Sequence, residues 1–308
     1  MFTVLTSNLI KPYIAITLLI VNNSIFPSLP EMADIWQQTL NWQPTVHQQT
    51  QFQQLYELIL EGNTQLNLTR ITEPLEFWEK HLWDSVRGIS FLLSGNNHNS
   101  PLSTPVAPLG EDSRVGGFPD LSELSVETPR PHWLPSSPSS PPSFIDIGTG
   151  AGFPGIPIAI TVPNCTVTLL DATRKKISFI EKIQAALSLT NVKTLTGRSE
   201  VIGQESQHRQ TYDIALIRAV GTASVCAEYT LPLLKQGGLA VVYRGSWTEA
   251  ETASLENALN QLGGVIESIE QFTTPLSHSI RHCLYLRKIK TTPAKFPRAP
   301  GIPTQKPL

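Results

Sequence analysis

Apolar residues along the chain follow two different rhythms, separated by a stretch that has neither. From Thr45 the spacing is helical: Phe52, Leu55, Tyr56 and Ile59 recur at i, i+3, i+4 and i+7. Gly62 with Asn63 predicts the end of that helix. A second helix is predicted after Thr72, with Pro74 in the first turn, where a missing N–H costs little. Its apolar stripe is Leu75, Trp78, Leu82, Val86, Ile89 and Leu93. Beyond residue 143 the period changes. Phe144–Ile147, Thr166–Leu170, Val192–Leu195, Ile214–Ile217 and Leu239–Tyr243 read as short buried strands, with helical stretches between several of them, best seen around Ile177, Ile180 and Leu187. Such alternation predicts an α/β fold, a mostly parallel sheet with helices on both faces and an N-terminal helical layer. Val265–Phe272 and Cys283–Leu286 look like strands with no helix between them, so an antiparallel pair is expected at a sheet edge.

The intervening residues 94–143 are dense in Pro and Ser (Pro101, Pro105, Pro108, Pro129, Pro131, Pro135, Pro138, Pro141 and Pro142). Such a segment buries too little surface to offset its ordering entropy, and it reads as a disordered insert bulging from the surface. At the N-terminus, Tyr13–Val21 is apolar but too short to span a bilayer, and it follows only Lys11 with no small-residue cleavage site. Residues 1–31 are taken as an extension, with translation expected to start at Met32. The domain plan is therefore 32–93 helices, 94–143 insert, 144–288 catalytic domain and 289–308 a basic flexible tail.

With 308 residues, 40% of them hydrophobic, the chain can build a substantial core. A formal charge of −2 excludes indiscriminate coating of nucleic acid but not a local basic face. The three cysteines, Cys165, Cys226 and Cys283, are widely spread, which fits a reducing compartment and excludes a disulfide framework. Among the histidines only His81 with Asp84 has ligand-like spacing, and a helix hydrogen bond is expected there, with no metal.

The candidate chemistry lies in Phe144-Ile-Asp-Ile-Gly-Thr-Gly-Ala-Gly-Phe-Pro-Gly155, a strand that stops in a glycine-rich turn and enters a helix. Gly148, Gly150 and Gly152 permit positive φ and let a ligand lie against bare backbone. A dinucleotide fingerprint spaces its glycines G-x-G-x-x-G for a pyrophosphate. Here the third glycine comes one residue early, and Asp146 stands two before the first. An acid there repels a pyrophosphate and suits a cationic ligand bearing an amino acid, so S-adenosylmethionine is favoured over NAD. Asp171 ends the second strand, where it either receives ribose hydroxyls or caps the helix near Arg174, with Thr173 a rival cap. Ser199 and Glu200 follow the third strand, at the adenine edge or as a solvated pair. Arg218 closes an apolar strand, placed to neutralise a ligand carboxylate or to grip an RNA phosphate.

Taken together, Asn67-Leu-Thr69, His81-Leu-Trp-Asp84-Ser85, the Asp146–Pro157 turn, Leu170-Asp171 and Arg218-Ala219 resemble the bacterial 16S rRNA (guanine-N7) methyltransferase G family, also called RsmG or GidB. The likeness runs from about Asp34 to Lys288, interrupted by the insert, which is not typical of that family. The resemblance implies a class I (Rossmann-like) seven-stranded sheet and S-adenosylmethionine contacts from Gly148, Phe153, Asp171, Ala172, Thr173, Ser199, Glu200 and Arg218. It implies methylation of a guanosine in the decoding-region loop of 16S rRNA, as naked RNA or within the small ribosomal subunit. Arg218 and Arg244 are the positioning candidates; Tyr243-Arg244-Gly245 stands where many members carry Lys-Gly, so a lysine role passes to Arg244. A cytoplasmic monomer with no membrane contact is expected. For RNA, Gln271–Leu308 holds seven Lys or Arg and no acid, and Arg174-Lys175-Lys176 adds a second cluster. An NAD-dependent oxidoreductase and a non-catalytic RNA-binding protein remain as alternatives.

Overall fold

A computed structural model describes residues 19–21, 24–93 and 141–308. The expectations for the N-terminal residues before 19 and for nearly all of the 94–143 insert therefore lie outside the described residues. The described residues begin with two short antiparallel strands, Leu19–Val21 against Ser24–Phe26. The helical layer follows as α1 (Ala33–Leu40), α2 (Val46–Leu66), α3 (Pro74–Phe77), a π-helical stretch (Trp78–Trp83), α4 (Asp84–Arg87) and α5 (Ser90–Leu93). Thr45 starts α2 with a capping box, its side chain accepting from the Gln48 N–H while Gln48 answers the Thr45 N–H.

Seven strands make the sheet: β1 (Ser143–Ile147), β2 (Thr166–Asp171), β3 (Val192–Thr196), β4 (Tyr212–Arg218), β5 (Leu234–Arg244), β6 (Gly264–Thr273) and β7 (Ile280–Lys288). Their order is β3-β2-β1-β4-β5-β7-β6, with β7 antiparallel to both neighbours and β6 at the edge. The helices between them are α6 (Gly155–Thr161), α7 (Arg174–Ala186), α8 (Ser199–Ile202), α9 (Ala223–Thr230) and α10 (Glu249–Leu262), with α11 (Ile302–Gln305) last. None of the described helices is long and apolar enough to cross a membrane.

The inner strands are largely apolar in both directions because both of their faces are covered, while the edge strands β3 and β6 are partly exposed. Phe144, Val167, Leu169, Ile214, Leu216, Val241 and Tyr285 pack with the helical layer, α6 and α7. Their neighbours Ile145, Leu170, Ala215, Ile217, Val242 and Leu284 pack with α9 and α10 on the other side. Each Val, Leu, Ile or Phe side chain among them is worth roughly 1.5–3 kcal/mol when fully buried. Two tyrosine hydroxyls fasten the helical layer to the sheet: Tyr243 donates to Ser85 O at 2.8 Å and Tyr285 to Gly88 O at 3.2 Å.

Three expectations are corrected. Gly62 does not end α2, which runs to Leu66; the Phe179 ring sits 2.2 Å from where a Cβ on residue 62 would be, so the glycine serves close packing. Leu75 is 55% exposed and lies off the apolar stripe, because the wide turn that follows changes the helical phase. The segment 289–308 is not a flexible tail. Thr292, Phe296 and Pro303 are buried, and Arg298 forks onto the Glu228 carboxylate at 2.6–3.1 Å. Several of the cations counted for RNA are thereby engaged inside the protein: Arg298, Arg287 on Glu267, and Lys288, whose Nζ donates to Leu231 O and Leu234 O.

Candidate functional site

Beyond β1 the sheet changes direction: β2 and β3 build outward on one side, β4 and β5 on the other. Ligands of open α/β sheets bind outside the carboxyl ends of the strands at such a switch point. The Asp146–Gly155 turn sits there. Gly148, Gly150 and Gly152 all hold positive φ (70°, 62° and 98°), so the turn requires them. Gly155 is required for another reason: a Cβ would lie 2.2 Å from Leu169 Cδ2 and 2.8 Å from Asp146 Oδ2. Asp146 is fully buried and its Oδ2 ties the turn together, accepting from Thr149 Oγ1 at 2.5 Å and Gly155 N at 2.9 Å. Burial raises its carboxyl to about 6, against the lowering pull of the Thr149 and Gly155 donors. Its other oxygen, Oδ1, is buried and has no hydrogen-bond partner among the described residues. A cationic amino group is a donor chemistry that fits it.

A cleft of about 250 Å³ opens beside the turn, lined by Gly148, Asp171, Ala172, Ser199, Glu200 and Tyr229 among others. The structure thus brings five residues predicted from sequence to one place. Asp171 Oδ2 accepts from Gly150 N at 3.0 Å and Oδ1 from Thr173 N at 2.8 Å, so the carboxylate locks two loops. Neither rival cap operates: Thr173 holds the N-cap position of α7 without a side-chain bond. Glu200 is buried. Burial alone would raise its carboxyl, yet the Arg198 side chain and the Gly301 N–H hold it below the usual carboxylate range. Ser199 Oγ donates to Tyr229 O at 3.2 Å. Tyr229 and Thr304, which also line the cleft, carried no signal in the sequence, because nothing local marks a residue brought in from α9 or from the C-terminus.

Phe153 and Arg218 are not among the cleft-lining residues; they face the helical layer. Arg218 donates to Lys80 O at 3.0 Å and Asp84 Oδ2 at 3.1 Å, and its Nη2 lies 3.4 Å from His81 Nδ1. His81 stacks on Phe153 with centroids 4.3 Å apart, and its Nε2 meets Thr69 Oγ1 at 2.8 Å. The expected His81–Asp84 helix bond is replaced by a shared partner, since both turn to Arg218. The two short motifs around Thr69 and His81–Ser85 thus acquire a reason: they hold Arg218 and Phe153 against the glycine turn. Arg244 is placed apart from this group, donating to Gly221 O at 2.7 Å and Glu251 Oε1 at 2.8 Å.

With Arg218 donating to Nδ1, His81 is neutral with its proton on Nε2. Burial, then Arg218 and Lys80, push its pKa from 6.5 to about 3. The unfolded chain therefore binds a proton between pH 6.5 and 3 that the folded chain refuses, and stability is lost as pH falls through that window, by a few kcal/mol. Asp146, raised from 3.8 to about 6, acts in the opposite sense over its own window. Denaturant unfolding of His81→Phe, which keeps the stack on Phe153, is expected to lose less stability than the wild type between pH 6.5 and 4. Parallel profiles would refute the assignment.

Comparison with known proteins places this geometry. A family model described as rRNA small subunit methyltransferase G matches residues 48–100 and 133–283. A protein of Nostoc punctiforme named Ribosomal RNA small subunit methyltransferase G is 64% identical over 280 residues, covering 91% of this chain and 98% of the relative. A protein of the same name from Trichodesmium erythraeum is 52% identical over 288 residues, covering 94% of this chain and 98% of that one. The chain belongs to the rRNA small subunit methyltransferase G family.

Proposed function

We propose that the protein methylates guanine N7 in the decoding-region loop of 16S rRNA, with S-adenosylmethionine as methyl donor, acting as a cytoplasmic monomer. The observation that carries the reading is the cleft at the β1–β4 switch point, where the bare backbone of Gly148 and the Asp171 and Glu200 carboxylates line one space. The cofactor supplies a methyl group on a sulfonium. Gly148 would take its amino-acid end, Asp171 with Ala172 and Thr173 the ribose, and Ser199 with Glu200 the adenine edge, while the buried Asp146 holds the turn in shape behind them. Phe153 and Arg218 support the turn from behind.

Guanine N7 is an sp² nitrogen with a free lone pair and no proton to lose, so methyl transfer needs no general base. The residues have only to align acceptor, methyl and sulfur, and such positioning contributes roughly 7–11 kcal/mol to lowering a barrier. His81, buried and neutral, is engaged by Thr69 and Arg218 and moves no proton. For the RNA, Arg174, Lys175 and Lys182 line an open groove between α2 and α7 and are exposed; this face contacts phosphates without reading sequence.

Two measurements test the reading together. Calorimetric titration is expected to show binding of S-adenosylmethionine and its demethylated product but not NAD. Labelled methyl transfer to small ribosomal subunits from a strain lacking the gene is expected to map to one guanosine N7. Binding of NAD instead points to an oxidoreductase, and RNA binding without transfer to a non-catalytic protein; either overturns the reading.

A further inference from the structure

The C-terminal residues do more than complete the core. From Thr292 the chain lies across α8 and α9, the two helices that flank the cleft. The Arg209 guanidinium donates to Phe296 O at 2.7 Å and Thr292 O at 2.9 Å, Gln204 Nε2 donates to Pro297 O at 2.8 Å, and Arg298 forks onto the fully buried Glu228 of α9. Gly203 lies so close to this strap that a Cβ there would sit 2.8 Å from Pro297 Cγ. Thus anchored, the last residues turn toward the cleft. Gly301 N donates to Glu200 Oε1 at 2.9 Å, the same oxygen that receives Arg198 at 2.7 Å and Tyr229 Oη at 3.3 Å. Thr304, one helical turn on, is exposed and lines the cleft with Asp171, Ala172 and Glu200.

We propose that Gly301 and Thr304 belong to the cofactor site, Gly301 as a positioning residue that fixes the Glu200 carboxylate and Thr304 as a wall against the nucleoside. The proposal rests on the reading of the cleft as the S-adenosylmethionine site. Two features suit Gly301 to the task. Its φ of 85° turns the chain out of the strap and into α11, a conformation that favours glycine. Its N–H is a backbone donor to a buried carboxylate, a charge-assisted bond that needs no side chain. Glu200 receives this donor from a segment about 100 residues away in sequence, so an intact C-terminus is a condition for a formed adenine edge.

The test uses the full chain, a chain ending at Pro300 and the variant Thr304→Trp. The shortened chain keeps Phe296 and Arg298 in place and loses only the residues from Gly301 onward. Thr304→Trp changes an exposed residue, so it decides the matter if the shortened chain fails to fold. S-adenosylhomocysteine is titrated into each, and KM is measured separately for S-adenosylmethionine and for the RNA. Loss of one charged hydrogen bond, or a ring placed in the cleft, is expected to weaken S-adenosylhomocysteine binding about tenfold. KM for the methyl donor is expected to rise in step, while KM for RNA and kcat at saturating donor hold. Wild-type affinity in both variants overturns the proposal, as does an equal loss in every parameter, which marks a purely structural strap. A full-length protein that binds no S-adenosylhomocysteine defeats the underlying reading of the cleft, a result separable from these.

Discussion

Asp171→Ala is expected to weaken cofactor binding by roughly 10² to 10⁴, the largest effect of any single change at the site. Two hydrogen bonds from ribose hydroxyls to a carboxylate contribute about 1.5–3 kcal/mol each, and every 1.4 kcal/mol is tenfold in affinity. The side chain also serves the protein itself, accepting from Gly150 N and Thr173 N. Truncation therefore loosens the glycine turn as well as removing the acceptor. Asp171→Asn is expected to fall between, because one oxygen remains while the new amide group meets a backbone N–H that also needs an acceptor. Titration of S-adenosylhomocysteine checks both variants, with thermal unfolding as the control for folding. An alanine variant that binds within threefold of the wild type would remove the cleft from consideration.

The second large effect falls on stability. Arg298→Met leaves the Glu228 carboxylate, which is fully buried, without its charged partner. Breaking a buried pair from one side costs about 3–5 kcal/mol, because the remaining charge stays desolvated. For a chain of this size that corresponds to a fall in Tm on the order of 10 °C. The double variant Arg298→Met/Glu228→Met is expected to recover most of the loss, since neither charge then needs water. Urea unfolding of the four proteins of this cycle measures the coupling. Additive losses in the double variant would mean that the pair is no unit.

Much of this was legible in the sequence, and the reasons differ from element to element. The inner strands are legible because a sheet covered on both faces needs side chains such as Ile145 and Val167 to be apolar whichever way they point, while the partly exposed edge strands β3 and β6 show only as shorter β-branched and apolar patches. The turn at Asp146–Gly155 and the acids Asp171 and Glu200 were legible because each sits at or just beyond a strand end, where topology alone assigns a place. What failed to read depended on distant partners. Gly62 looks like a helix stop until the Phe179 ring is seen beside it. The residues after 288, rich in Lys, Arg and Pro, have the composition of a solvated tail. Their structure comes from acceptors elsewhere: Glu228 on α9 for Arg298, and Glu200 on α8 for Gly301. No local pattern announces a carboxylate tens of residues away.

The π-helical stretch Trp78–Trp83 takes up one residue more than a regular helix would need over the same span. An α-helix advances about 100° per residue and the wider turn advances less, so these six residues rotate the chain about as far as five in a regular helix. Losing the extra residue would leave Asp84 and Ser85 close to their present phase, facing Arg218 and the Tyr243 hydroxyl. What the wide turn sets is the direction of the residues inside it, His81 among them, which meets Phe153 and Arg218. A single-residue deletion within the stretch is therefore expected to disturb the His81 contacts while sparing those of Asp84.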